Sequence, residues 1–208
     1  KFCQFIIMKN TDYILYLDMD GVLVNYARGW SNVAKKTGLR TLNSSEDKYT
    51  EEELAPIYNN IANPDFWRNL DWEPGGKELF KISNQLFEKV HILTSTGSKD
   101  DIEFHEIVSL GKMQWIKDNI GNQLNVKNIH IVNEGIAKAE FATPLSILVD
   151  DNSKTIEAFD MAGGYGILHK SSKYQETILE LVDLSSPLTL GEVLKQIPII
   201  KRKFWNQE

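Results

Sequence analysis

Four aspartates in two close pairs are the residues of this chain best suited to chemistry. Asp18 and Asp20 follow the apolar run Tyr13 to Leu17, and Asp150 and Asp151 follow the run Ile147 to Val149. A third run, Val90 to Leu93, ends in the hydroxyls of Thr94 and Ser95. In open α/β sheets ligands collect at the carboxyl ends of strands, so residues directly after strands share one edge. Carboxylates gathered there repel one another unless a cation sits among them. An all-oxygen set of this kind suits magnesium, which keeps several waters and takes substrate phosphate as a further ligand. A lone Asp at a strand end usually makes a turn or caps a helix. Two acidic pairs after different strands exceed what turn chemistry needs. Asp18-Met19-Asp20-Gly21 also offers a carboxylate nucleophile, a second carboxylate two residues on, and a Gly that lets the chain turn away sharply.

The elements that must position these groups follow from hydrophobic patterning. Tyr13 to Leu17, Val90 to Leu93, Ile129 to Val132, Ile147 to Val149 and Tyr165 to Leu168 are short, nearly continuous apolar runs bounded by polar residues. They read as strands buried on both faces, as in a parallel sheet covered by helices. Helical spacing predicts helices over Lys77 to Glu88, Ile102 to Ile120 (ended by Gly121) and Ser153 to Ala162. Two more are expected over Tyr174 to Val182 and Leu190 to Ile197, as scaffold. The alternation predicts an α/β fold, a doubly wound parallel sheet. The interval from Asn25 to Asp71 breaks the rhythm. It holds helix candidates over Tyr26 to Lys36, closed by Gly38, and over Glu51 to Asn60, with Thr50 and Glu53 at capping-box positions. The expected organisation is a core of residues 8–24 and 73–200 with a helical cap, 25–72, inserted after the first strand. Residues 1–7 are expected to be an extension before Met8, and 201–208 a tail.

The composition, 42% hydrophobic and 25% charged over 208 residues, is that of one globular domain with an insertion. A formal charge of −6 disfavours sequence-independent binding to nucleic acid, and the short basic run Lys201-Arg202-Lys203 reads as a solvated end. The single cysteine, Cys3, excludes an internal disulfide and fits a reducing compartment. No apolar run approaches a membrane span, so a soluble, cytoplasmic protein is expected. His91, His105, His130 and His169 lie on separate elements without ligand-like spacing, and no zinc site is expected.

The chain resembles the haloacid dehalogenase (HAD) superfamily of phosphatases. The residues carrying the resemblance are Asp18-Met19-Asp20-Gly21-Val22-Leu23, His91-Ile92-Leu93-Thr94-Ser95, Lys138, and Ile147-Leu148-Val149-Asp150-Asp151, in that order. The resemblance implies that Asp18 attacks phosphorus to form an aspartyl-phosphate. Asp20 would protonate the leaving oxygen and then activate water, with Thr94, Ser95 and Lys138 on the phosphoryl oxygens. It implies magnesium bound by Asp18, the Asp20 backbone carbonyl and Asp150, with Asp151 ligating through water or orienting the other ligands. Lys112, Lys127 and Lys154 compete with Lys138, Lys154 most strongly.

The inserted segment carries Tyr26, Trp30, Phe66, Trp67 and Trp72. Trp30 and Trp72 are expected to pack a small core of the cap's own. Aromatic faces beside a phosphate site can stack a nucleobase, which suits Tyr26, Phe66 and Trp67. A narrower resemblance agrees: the first motif, Asp65-Phe66-Trp67-Arg68-Asn69-Leu70 with Pro74-Gly75, Leu93-Thr94-Ser95 and Lys112-Met113-Gln114-Trp115 look like the 5'(3')-deoxyribonucleotidases. That implies a (deoxy)nucleoside monophosphate as substrate, with Tyr26, Phe66 and Trp67 on the base. The chain departs from that family at Val24-Asn25-Tyr26, Asn133-Glu134 and Asn152. The competing expectations are a phosphatase for another small ester, such as a sugar phosphate or phospho-amino acid, and a non-catalytic nucleotide-binding scaffold.

Overall fold

A computed structural model of the chain describes residues 9–42, 48–97 and 100–185. The expected extension 1–7, the helix over Leu190 to Ile197 and the tail 201–208 lie outside the described residues. The five apolar runs form β1 (Asn10–Leu17), β2 (Phe87–Ser95), β3 (Ile129–Val132), β4 (Ser146–Asp150) and β5 (Tyr165–Leu168). They make one parallel sheet in the order β3-β2-β1-β4-β5. Neighbouring residues such as Ile147, Leu148 and Val149 are all completely buried, as a sheet covered on both faces requires. The chain winds outward from central β1 through β2 and β3, then returns to β1's other side for β4 and β5. Leu17 is paired with Ile92 on one side and Val149 on the other. This register sets Asp18 beside Asp150 and one residue short of Thr94, at the point where the winding reverses.

The helices are α1 (Tyr26–Thr37), α2 (Glu51–Ile61), α3 (Pro64–Arg68), α4 (Gly76–Leu86), α5 (Ile102–Asn119), α6 (Ser153–Met161) and α7 (Tyr174–Ser185). Gly38 closes α1 in the left-handed conformation, and Thr50 and Glu53 form the expected capping box on α2. Two elements differ from expectation. α4 stops at Leu86, because Phe87 is extended and pairs with Asn10 to begin β2. α3 is additional: Asn63 caps it by accepting from the Asp65 N–H, and Pro64 occupies its first turn.

The inserted helices share the core of the sheet. Ala34, Ile57, Ile61, Trp67 and Leu70 belong to the same buried cluster as Leu15, Leu17, Leu79 and Ile92. The expectation that Trp30 and Trp72 pack a separate core is therefore corrected. Trp30 packs against this common cluster, and Trp72 lies 4.7 Å from the Trp115 ring of α5 and donates to Asn119 Oδ1 at 3.1 Å. α3 is seated on α5 through Gly111, where a Cβ would stand 2.4 Å from the Pro64 carbonyl oxygen and 2.6 Å from Trp67 Cβ. Trp115 Nε1 donates to the Leu70 carbonyl at 2.8 Å beside it. A smaller cluster of Tyr16, Leu93, Leu148, Ile156 and Phe159 packs α6 against the sheet. Among the described residues, no helix is long and apolar enough to cross a membrane.

Candidate active site

The loop after β1 turns back at once. The Met19 carbonyl accepts from the N–H groups of Leu23 and Val24 at 2.8 and 2.7 Å, and Gly21 has φ +74°. A Cβ at Gly21 would lie 2.1 Å from Asp151 Oδ2, so a glycine is required both by the turn and by the approach of that carboxylate. The Asp18 N–H donates to the Val149 carbonyl at 3.0 Å, which fixes Asp18 against the end of β4.

Asp18, Asp150 and Lys138 are buried together. Lys138 comes from a 3-10 segment, Gly135–Phe141, between β3 and β4. Its Nζ lies 2.7 Å from Asp18 Oδ1 and 2.6 Å from Asp150 Oδ2. Burial alone would lower the ammonium's pKa, but these two carboxylates outweigh it and raise the pKa, keeping the cation in place. The rivals Lys127 and Lys154 are exposed. The Asp150 carboxylate also accepts from the Asn152 N–H at 2.9 Å.

Asp18, Asp150 and Asp151 each offer an oxygen, all within 4.8 Å of one another. Burial, then the Asp18 charge, raises the pKa of Asp150. Asp151 rises to about 7 through partial burial of its carboxylate and the charges of Asp18, Asp150 and Asp20. Oxygen-only donors whose charges strain against one another fit a hard divalent cation such as magnesium. Folded-state pKa values above the ordinary carboxylate range mean that cation-free stability falls as pH rises through that range to about 7. If magnesium binds among these carboxylates it would have to displace the Asp151 proton, and its affinity should then climb from pH 6 to pH 8 and level off. Calorimetric titration at several pH values checks this, and a flat profile would remove Asp151 from the cation site.

In the sequence Lys112 is a rival for the phosphate lysine and part of the Lys112-Met113-Gln114-Trp115 likeness. It enters the site from α5, and its Nζ donates to Asp20 Oδ2 at 2.6 Å, Thr94 Oγ1 at 2.8 Å and the Ser95 carbonyl at 2.7 Å. The pKa of Asp20 is raised by burial, against the lowering effect of Lys112.

These groups floor a cavity of about 430 Å³ lined by Asp18, Asp20, Tyr26, Trp67, Ser95, Thr96, Lys138 and Asp151, among others. Thr94 lies behind this lining, completely buried. Thr96 is a lining residue that the sequence reading missed; its hydroxyl bonds His105 Nδ1 at 3.0 Å. Of the three expected base contacts, Tyr26 and Trp67 reach the cavity and Phe66 does not. Tyr26 stacks on Trp67 at 5.4 Å and 11°, while Phe66 stands edge-on to both. Burial and the nearby Asp20 push the Tyr26 phenol up to about 12, so it stays neutral.

The histidines are more connected than their sequence positions suggest. His91 Nδ1 and His130 Nε2 lie 3.0 Å apart across β2 and β3, and His169 Nδ1 is 2.9 Å from Thr177 Oγ1. Among the described residues no histidine joins a group of three metal-ligating side chains.

No family model matches the chain, and no curated protein does. Among solved structures, the chain is similar to a hydrolase from Pseudomonas syringae at 15% identity, covering 90% of this chain and 99% of that one, with a TM-score of 0.44. It is similar to a haloacid dehalogenase-like family hydrolase from Xanthomonas campestris at 13% identity, over 78% of this chain and 84% of that one, with a TM-score of 0.47. A HAD family enzyme from Bacteroides thetaiotaomicron, solved with magnesium and inorganic phosphate, is 13% identical over 80% of this chain and 96% of its own, with a TM-score of 0.41.

Proposed function

We propose that the protein is a magnesium-dependent phosphomonoester hydrolase that works through an aspartyl-phosphate on Asp18, with a (deoxy)nucleoside monophosphate as substrate. The observation that carries this is the buried Asp18 carboxylate, held 2.7 Å from Lys138 at the floor of a cavity and grouped with the carboxylates of Asp150 and Asp151.

In this reading an oxygen of Asp18 bonds to phosphorus as the bond from phosphorus to the leaving oxygen breaks. Asp20, whose raised pKa favours carrying a proton, gives that proton to the leaving oxygen. Asp20 then takes a proton from water, the water oxygen bonds to phosphorus, and the bond between phosphorus and Asp18 breaks. Lys138 offsets charge on the phosphoryl oxygens, and Ser95, with Thr94 behind it, positions them. Asp18, Asp150 and the Asp20 carbonyl would hold magnesium, with Asp151 ligating through water or orienting those ligands, and the bound ion would supply further positive charge to the phosphoryl group. Tyr26 offers the aromatic face beside the leaving group, with Trp67 stacked against it. A cavity of about 430 Å³ accommodates a small ester and favours a mononucleotide over a polymer.

The test is a panel of deoxynucleotides, ribonucleotides, sugar phosphates and phosphoserine assayed with magnesium. Preference for nucleoside monophosphates is expected. Equal rates on sugar phosphates would defeat the nucleotide assignment and leave the phosphatase; failure on every ester would defeat both.

A further inference from the structure

We propose that Lys112 is a positioning residue that divides the site's four carboxylates by role, holding Asp20 apart for acid–base work and leaving Asp18, Asp150 and Asp151 to the cation. The proposal rests on the phosphatase reading for what Asp20 does, but not for where Lys112 holds it.

Lys112 is 1% exposed, and burying an ammonium is costly unless every N–H finds a partner. Its three donors meet three acceptors: Asp20 Oδ2, Thr94 Oγ1 and the Ser95 carbonyl. Asp20 lies in the loop after β1, and Thr94 and Ser95 are the last two residues of β2. The Trp67 ring, 5.3 Å from Nζ, covers the ammonium from the inserted helices. Lys138 already balances Asp18 and Asp150, so a second buried lysine is not needed for those two.

Two further observations give Lys112 its direction of action. Among the described residues, the carboxylates whose oxygens form a group of three all within 4.8 Å of one another are those of Asp18, Asp150 and Asp151; Asp20 belongs to no such group. Asp20 Oδ1 is buried without a hydrogen-bond partner, although Asp20 lines the cavity. With Oδ2 tied to Lys112, Oδ1 is the oxygen left to give and take the proton. An unrestrained Asp20 side chain, two residues from Asp18, would be free to turn into the cation set and lose that oxygen to the metal.

The experiment is a cycle of four proteins: the parent, Lys112→Met, Asp20→Asn and the double variant. The first readout is magnesium affinity by calorimetry, which needs no turnover. Lys112→Met should tighten magnesium binding by about tenfold in the parent and much less beside Asp20→Asn. An equal gain in both backgrounds would mean that Lys112 acts only as a nearby charge, and would overturn the proposal. The second readout is the burst of the first chemical step on two esters. With a deoxynucleoside monophosphate, whose leaving oxygen needs a proton, Lys112→Met should lose about 100-fold. With p-nitrophenyl phosphate, whose leaving group departs unprotonated, the loss should be under about tenfold. Equal losses on both esters would also overturn it. Lys112→Gln, which keeps an N–H donor, should lose less on the nucleotide than Lys112→Met while still losing more there than on p-nitrophenyl phosphate, and serves if the Met variant does not fold. A parent inactive on both esters would defeat the phosphatase reading alone, since the magnesium cycle still decides whether Lys112 acts through Asp20.

Discussion

Asp18→Asn is expected to lower turnover by about 10⁴-fold or more while leaving the fold intact. The amide cannot form the acyl phosphate, and no neighbouring group can take over. Asp20 is held by Lys112, Asp150 is held by Lys138, and the Asp151 carboxylate packs against Gly21. Stability should not fall. The substitution removes one negative charge from a crowded set, and Lys138 keeps its 2.6 Å pair with Asp150. Cation-free thermal unfolding near neutral pH should therefore be unchanged or slightly higher in temperature. Steady-state rates beside melting curves check both statements; a rate within tenfold of the parent would remove Asp18 from the nucleophile's role.

The second large effect belongs to Lys138. In Lys138→Met the side chain keeps its approximate length, but Asp18 and Asp150, at 5% and 1% exposure, lose the ammonium between them. Removing one partner of a buried ion pair costs about 3–5 kcal/mol, because the remaining charge is uncompensated. The cation-free variant should lose about that much stability in chemical denaturation, and saturating magnesium should recover part of it. Activity should drop by about 10²–10³-fold through loss of charge stabilisation on the phosphoryl group. Lys154→Met is the control. That lysine is exposed at the start of α6, and its loss should change stability by less than about 0.5 kcal/mol. Similar behaviour of the two variants would take Lys138 out of the site.

Both effects concern residues legible in the sequence, for a simple reason. Strands buried on both faces announce themselves as continuous apolar runs, and in a parallel sheet the residue after each run has only one edge to occupy. Asp18, Thr94 and Asp150 could be placed together on that ground alone. Boundaries were less legible. Phe87 is buried whether it ends a helix or begins a strand, and only its pairing with Asn10 decides between them. α3 spans five residues, too few for a period to show, and its one local signal is the Asn63-Pro64 cap.

Lys112 was missed for a different reason. A lysine is solvated surface by default, and the Lys112-Met113-Gln114-Trp115 likeness assigns this one no role. The helix held the information all the same. The buried residues of α5 are Val108, Gly111, Lys112, Trp115 and Ile116, and their spacing is that of one continuous stripe. A lysine inside that stripe must reach carboxylates or other acceptors on the far side. The role of the aromatics was only partly legible. Composition shows that Tyr26, Phe66 and Trp67 share the insertion, but whether a ring faces a ligand depends on packing that no local pattern encodes. Trp67 is 4% exposed and its indole N–H is bonded to the Ile61 carbonyl, so Tyr26 has the greater freedom to meet a substrate.

The shared core beneath the inserted helices limits how such a segment can be exchanged. Residues 25–72 cannot be lifted out as a cassette, because Trp67, Leu70 and Trp72 find their partners on α5. A chimera that kept α5 from another protein would need a side chain no larger than hydrogen at position 111, and a tryptophan four residues further on. Any change of substrate preference in a protein built this way must come from replacing single side chains on the cavity wall, or from recombining the insertion and α5 as one inherited unit.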